Sequence, residues 1–154
     1  MKSRQSRWRS DAGGATHSAA PMCSDRPCAL VVDDDPLVRR AICRHLGGGF
    51  NVYQAASEAS ALETVERVAT RGGFALAFVD YELPDGTGLP VLERLGAWPD
   101  SIRVLMSAHV GRLAAFRRCG SFVPLVLEKP LNLNSIEAAK RAALRVFRDK
   151  TDGT

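Results

Sequence analysis

Apolar residues along this chain fall into short segments of strand length, separated by longer stretches with helical spacing. Continuous apolar runs such as residues 74–79 are typical of strands that are buried on both faces of a parallel sheet. Between the segments, apolar residues recur every three or four positions, which predicts helices. The pattern therefore predicts alternating strands and helices, with the helices covering both faces of the sheet. The predicted strands cover residues 28–32, 51–55, 74–79, 102–106 and 123–127.

Capping residues indicate where the predicted helices begin. Pro36 suits the first turn of the first helix, and Ser57 is placed to cap the second. The last helix is predicted to start at Asn134, with Glu137 three residues later as in a capping box. Residues 151–154 are expected to fray.

Length and charge bound the domain organisation. The 154 residues suit one domain of ordinary size. Residues 1–27 have little apolar periodicity and are predicted to be a disordered arm, while residues 28–150 form the folded domain. The arm holds five basic and two acidic residues, so it accounts for three units of the net charge of +4. The folded part is therefore close to neutral, and direct DNA binding is not expected.

The sequence also bears on the compartment. The apolar runs are far shorter than the roughly 20 residues of a membrane-spanning helix, and the N-terminus lacks the apolar core of a secretory signal. The four cysteines contain no C-x-x-C pair, so reduced thiols are expected rather than a metal site. We expect a cytoplasmic protein with no membrane insertion.

Four of the five predicted strands are followed by polar side chains of complementary kinds: Asp33 and Asp34, then Asp80, then Ser107, then Lys129. Since the carboxyl ends of parallel strands meet at one edge of the sheet, these side chains are expected to lie together. Clustered carboxylates favour a hard cation such as Mg²⁺. A hydroxyl and an ammonium beside them suit an incoming phosphoryl group, which Asp80 would accept as a nucleophile.

The combined motifs resemble the receiver domain of bacterial two-component response regulators over residues 28–147. The resemblance implies a flavodoxin-like (βα)5 fold, an α/β doubly wound parallel sheet with strand order 2-1-3-4-5. The matching motifs are Val31-Val32-Asp33-Asp34-Asp35-Pro36, Asp80-x-x-Leu-Pro-Asp-Gly-x-Gly88, Met106-Ser107-Ala108 and Lys129-Pro130.

The resemblance also implies a reaction. Asp80 would accept a phosphoryl group from a phosphohistidine of a sensor histidine kinase or a histidine phosphotransfer protein. Mg²⁺ would be held by Asp34, Asp80 and the main-chain carbonyl of Glu82, with Asp33 assisting. Ser107 and Lys129 would bind the phosphoryl oxygens.

Other positions would tune or transmit this chemistry. The resemblance places Glu82, Ala108 and His109 where family members tune loss of the phosphate. It also implies a Tyr or Phe three residues before Lys129, as a switch that moves with the hydroxyl residue. That position is Val126 here, which places the conformational coupling in question but not the chemistry.

We therefore expect a stand-alone receiver that catalyses only its own aspartyl phosphorylation and dephosphorylation. No DNA-binding domain follows Lys129 in this sequence, so output is expected through an unknown protein target, with a homodimer possible. One alternative is a degenerate receiver that serves as a constitutive docking module, which Val126 motivates. Another is a small phosphohydrolase of the haloacid-dehalogenase type, whose Asp-x-Asp motif Asp33 and Asp35 match loosely.

Overall fold

The computed structural model describes residues 25–109, 111 and 125–153. Its main sheet has five parallel strands in the order β2-β1-β3-β6-β7, and a short antiparallel hairpin, β4–β5, lies outside this sheet. Without the hairpin strands the order is 2-1-3-4-5, so the predicted flavodoxin-like topology is confirmed. The strands are β1 (Cys28–Val32), β2 (Asn51–Ala55), β3 (Leu76–Asp80), β4 (Glu82–Leu83), β5 (Gly86–Thr87), β6 (Ile102–Ser107) and β7 (Leu125–Glu128).

The helices cover both faces of the sheet, as the alternation of elements predicted. Helices α2 and α3 pack their apolar residues on one face, and α1 and α4 pack theirs on the other. A 3-10 turn over Gly47–Gly49 follows α1. The helices whose full length lies within the described residues are α1 (Pro36–Leu46), α2 (Glu58–Ala69), α3 (Leu89–Leu95) and α4 (Leu133–Asp152).

The central strand β3 is buried along its whole length, from Leu76 to Asp80. It begins two residues later than its apolar run. Ala75 still joins the backbone ladder, because its N–H donates to the Cys28 carbonyl and its own carbonyl accepts from Ile102. Phe74 instead packs edge-on against the ring of Trp98. The run therefore includes residues that anchor the start of the strand as well as the strand itself.

The two predicted helix caps had different outcomes. Ser57 caps α2 in a capping box: its hydroxyl accepts from the N–H of Ser60, and its own N–H donates to the hydroxyl of Ser60. The predicted start of the last helix at Asn134 is wrong: Asn132 is the cap, and its side chain accepts from the N–H of Asn134 at 2.8 Å. Glu137, predicted to complete a capping box, instead forms ion pairs, including one with Arg141 on the next turn. The same helix continues to Asp152, into the segment that was expected to fray.

Some predictions fall on residues that the structure does not describe. They are most of the helix expected between the predicted strands 102–106 and 123–127, the first two residues of the latter strand, and all but the last three residues of the predicted N-terminal arm. Within the described ranges, no helix combines the length and apolar character that a membrane span requires.

Candidate functional site

Three carboxylates meet at the carboxyl edge of the sheet. Asp33 directly follows β1, and Asp80 is the last residue of the neighbouring strand β3. One oxygen from each of Asp33, Asp34 and Asp80 lies within 4.8 Å of the others. Asp33 and Asp80 are buried, whereas Asp34 is exposed. The cluster is thus open on one side and closed on the other.

A single ammonium bridges the two buried carboxylates. Lys129 Nζ lies 2.6 Å from Asp33 Oδ2 and 2.9 Å from Asp80 Oδ2. The lysine directly follows β7, and its N–H donates to the carbonyl of Ser107 on the adjacent strand β6. The peptide bond between Lys129 and Pro130 is cis. The Lys129 ammonium supplies the positive charge that two buried carboxylates require.

The surroundings shift the pKa values of the bridging pair. Burial raises the pKa of the Asp80 carboxyl, and the nearby charge of Asp33 adds to this effect, while hydrogen bonds from Lys129 and Glu82 oppose it only in part. Burial alone would lower the pKa of the Lys129 ammonium, but hydrogen bonds and charge from the two carboxylates outweigh burial and raise it. Lys129 therefore stays charged at neutral pH.

The segment after β1 orients Asp33. Its Oδ1 accepts from the N–H of Asp35 at 2.9 Å, and its carbonyl accepts from Arg39 Nη1 at 2.6 Å. Asp35 in turn caps α1, because its carboxylate accepts from the N–H of Leu37. Of the three adjacent aspartates, Asp33 pairs with Lys129, Asp34 is exposed on the open side of the cluster, and Asp35 caps α1.

The donor set fits a hard divalent cation. Three carboxylates supply oxygen ligands, which Mg²⁺ prefers, and their mutual repulsion favours a cation among them. Asp33, Asp34 and Asp80 would hold the ion. Lys129 alone does not neutralise three negative charges. The oxygen ligands and the negative charge of this cluster are therefore compatible with Mg²⁺.

The loop after Asp80 turns back on the site as the β4–β5 hairpin. The N–H of Glu82 points at Asp80 Oδ1, at 3.3 Å, and the N–H of Gly88 donates to the carbonyl of Tyr81 at 2.9 Å. A Cβ on Gly88 would lie 2.2 Å from the carbonyl oxygen of Asp80, so only glycine permits this approach. The side chain of Glu82 is exposed beside the cluster.

Ser107 ends β6 beside these residues and is buried. Its hydroxyl accepts from the N–H of His109 at 3.0 Å. Among the described residues, no hydrogen bond joins this hydroxyl to the carboxylate cluster. Ala108 and His109, which directly follow Ser107, are both exposed to solvent. Val126 lies in β7, where it packs against the apolar layer that α2 and α3 cover.

The match to known families decides which family this fold belongs to. A family model described as the response regulator receiver domain matches residues 29–141. The chain belongs to this receiver family. The match spans the sheet from β1 to β7, so the carboxylate cluster and Lys129 of this receiver lie within the matched residues.

Relatives of the receiver agree with this assignment. It is 30% identical over 104 residues to the sensor protein TorS of Escherichia coli, and 29% identical over 117 residues to the transcriptional regulatory protein KdpE of Mycobacterium tuberculosis. These matches cover 66% and 75% of this chain but only 11% of TorS and 50% of KdpE. The chain thus spans half the length of one of these relatives and about a tenth of the other.

Solved receiver structures have the same fold. The CheY-like receiver domain from Methylobacillus flagellatus is 26% identical, with a TM-score of 0.59, and the match covers 77% of this chain and 98% of that one. The receiver domain of the PhyR response regulator from Erythrobacter litoralis is 20% identical, with a TM-score of 0.60 over 78% of this chain and 91% of that one.

Sequence reasoning did not anticipate two contacts of the receiver site. One is the hydrogen bond from Arg39 to the carbonyl of Asp33. The other joins the hairpin to α2, where Asp85 accepts from the N–H groups of Glu58 and Ala59. The Pro-Asp-Gly sequence around Asp85 indicates only a turn, so no local signal pointed to this partner.

Proposed function

We propose that this receiver is phosphorylated on Asp80, in a Mg²⁺-dependent reaction, by a sensor histidine kinase or a histidine phosphotransfer protein. The observation that carries the proposal is the Lys129 ammonium shared by Asp33 and Asp80 beside a third carboxylate. The phosphorylated protein would act as a switch or as a phosphate shuttle through contacts with other proteins.

In the proposed reaction one carboxylate oxygen of Asp80 forms a bond to phosphorus. The bond between phosphorus and the imidazole nitrogen of the donor breaks, and that nitrogen keeps the electron pair. Lys129 offers its positive charge to the oxygens of the transferring group, and the Ser107 hydroxyl, which already accepts from His109, still has a proton to donate. The carboxylates of Asp33, Asp34 and Asp80 would hold a Mg²⁺ ion here, which would supply further positive charge for these oxygens.

The metal ligands in this proposal are the carboxylates of Asp33, Asp34 and Asp80 and the main-chain carbonyl of Glu82. Loss of the phosphate requires water at the same edge of the sheet. The exposed side chains of Glu82 and His109 flank this edge, with Ala108 between β6 and His109. We propose that these three positions set the lifetime of the phosphate.

The downstream route is a proposal of the same kind. With Val126 in place of an aromatic residue, we propose that phosphorylation changes a partner surface through helix movement rather than through an aromatic rotamer. Four further statements stay predictions: that the receiver acts alone, that it is cytoplasmic, that it acts on a protein target, and that it forms a homodimer.

Labelling with a small phosphodonor tests the proposal. Incubation with acetyl phosphate and Mg²⁺ is expected to give a phosphorylated species that Asp80→Ala abolishes. Asp100→Ala, which removes an exposed aspartate paired with Lys150, is expected to label like the wild type.

The other outcomes separate the alternatives. Labelling that survives Asp80→Ala and is lost in Asp33→Ala would support the phosphohydrolase. A wild-type protein labelled neither by acetyl phosphate nor by phosphorylated histidine kinases would support the docking module.

A further inference from the structure

The hairpin after Asp80 and the first turn of α2 hold each other by hydrogen bonds in both directions. Asp85 Oδ1 accepts from the N–H of Glu58 at 2.7 Å, and Asp85 Oδ2 accepts from the N–H of Ala59 at 2.9 Å. In return, Glu58 Oε2 accepts from the N–H of Thr87 at 2.9 Å. We call these four residues, Glu58, Ala59, Asp85 and Thr87, the hairpin–helix clamp.

The clamp completes the N-terminus of α2. The first N–H groups of a helix have no partners within the helix. Of these N–H groups, the Ser57 side chain accepts a hydrogen bond only from that of Ser60. The Asp85 carboxylate accepts hydrogen bonds from those of Glu58 and Ala59. These bonds lower the pKa of the Asp85 carboxyl, so it is ionised at neutral pH. A carboxylate at this end of the helix also interacts favourably with the helix dipole.

Close packing holds the hairpin from two sides. A Cβ on Gly86 would lie 2.0 Å from Glu58 Oε2, and a Cβ on Gly88 would lie 2.2 Å from the carbonyl oxygen of Asp80. The hairpin therefore lies between α2 and the end of β3. The contact at Gly88 is with backbone, which leaves the hairpin little room to shift toward β3.

The reactive carboxylate lies at the end of this chain of contacts. Asp80 Oδ2 is held by Lys129, and Asp80 Oδ1 faces the N–H of Glu82, the first residue of the hairpin. Building on the proposed function, we propose that Asp85 is a positioning residue for phosphorylation. It fixes the hairpin against α2, and the hairpin fixes the orientation of the Asp80 carboxylate. Small misplacements of a reacting group slow a reaction strongly.

Labelling kinetics with acetyl phosphate and Mg²⁺ test this role in the full chain. Asp85→Ala is expected to lower the maximal labelling rate by at least about threefold, because orientation rather than donor binding is lost. The donor concentration at half-maximal rate is expected to stay unchanged. Asp85→Asn keeps one acceptor oxygen and is expected to recover part of the rate.

Ser57→Ala is the matched control. It removes the cap of the same helix but leaves the clamp in place, so its labelling rate is expected to equal that of the wild type. If Asp85→Ala and Ser57→Ala label at the same rate, the positioning role is overturned, because fraying of α2 then accounts for any effect.

Amide hydrogen exchange, without Mg²⁺ or donor, tests the clamp independently of the chemistry. Asp85→Ala is expected to speed exchange at the N–H groups of Glu82 and Thr87, and Ser57→Ala is not. Unchanged exchange in Asp85→Ala would overturn the inference even if the wild type is labelled. A wild-type protein that is not labelled would overturn the proposed function and the positioning role together, while the exchange result would still show whether the clamp holds the hairpin.

Discussion

Replacing Lys129 by Met would leave Asp33 and Asp80 without the ammonium that they share at 2.6 and 2.9 Å. The side chains of the two aspartates are 0% and 7% exposed, and that of Lys129 is 20% exposed. Water can therefore do little to solvate the carboxylates once the ammonium is removed. Removing one partner of a buried ion pair typically costs about 3–5 kcal/mol. We therefore expect Lys129→Met to lower the free energy of unfolding by about this amount at pH 7 without divalent cations.

Protonation limits this loss. A carboxyl with an ordinary pKa of about 3.9 can take up a proton at pH 7 for about 4 kcal/mol, which is a ceiling on the cost of leaving it without a counter-charge. At pH 5 the same ceiling is about 1.5 kcal/mol. The difference between wild type and Lys129→Met is therefore expected to shrink as the pH falls from 7 to 5.

Urea unfolding followed by circular dichroism measures the effect. With a slope of about 1.5 kcal/mol per molar urea, the midpoint at pH 7 is expected to fall by about 2 M or more. Mg²⁺ is expected to restore more stability to Lys129→Met than to the wild type, because it would then be the main positive charge in the cluster.

Lys150→Met provides the control. Lys150 also contacts a carboxylate at 2.6 Å, that of Asp100, but the two side chains are 59% and 55% exposed. Such pairs contribute less than about 1 kcal/mol. If Lys129→Met costs no more than Lys150→Met, the reasoning from burial is refuted.

Three further predictions concern stability, each measured by urea unfolding. Phe78→Ala, in the fully buried centre of β3, is expected to cost about 3–5 kcal/mol, and a loss below about 1 kcal/mol would contradict its core role. Gly88→Ala is expected to cost about 1–3 kcal/mol by overpacking against Asp80, whereas Gly48→Ala, with nothing within 4 Å of the added Cβ, should cost far less. The lowered pKa of Asp85 contributes stability above its unfolded value of about 3.9 that is lost as the pH falls further. Asp85→Asn is expected to remove this pH dependence of the free energy of unfolding. If the loss of stability at acid pH is the same in Asp85→Asn as in the wild type, the prediction is contradicted.

The sheet could be predicted from the sequence because its strands are short, apolar and buried on both faces. Asp33, Asp80 and Lys129 lie at the ends of the first, third and fifth predicted strands, which also placed them at one edge, as the structure shows. That they join directly through the ammonium could not be predicted, since it depends on side-chain reach across β1, β3 and β7.

Tertiary contacts decided what local patterns could not. Asn132 and Asn134 are both able to cap a helix, and the pattern of Asn134 with Glu137 favoured the wrong one. The helix that Asn132 caps packs Ile136 and Ala139 into the apolar core on one face of the sheet. Likewise, Asp85 caps a helix that begins 27 positions earlier, a relation that no short-range pattern contains.

The bridge from Lys129 to Asp33 spans 96 positions of the chain, which has a consequence during synthesis. The ribosome adds Lys129 long after the two aspartates that its ammonium joins. The edge strand β7, which positions Lys129, is synthesised directly before it. A partly synthesised chain on the ribosome presents the acidic residues without their counter-charge. A chain whose translation has not yet passed Lys129 lacks the ammonium of the proposed phosphorylation site. Under the proposed function, we expect such a chain not to accept a phosphoryl group.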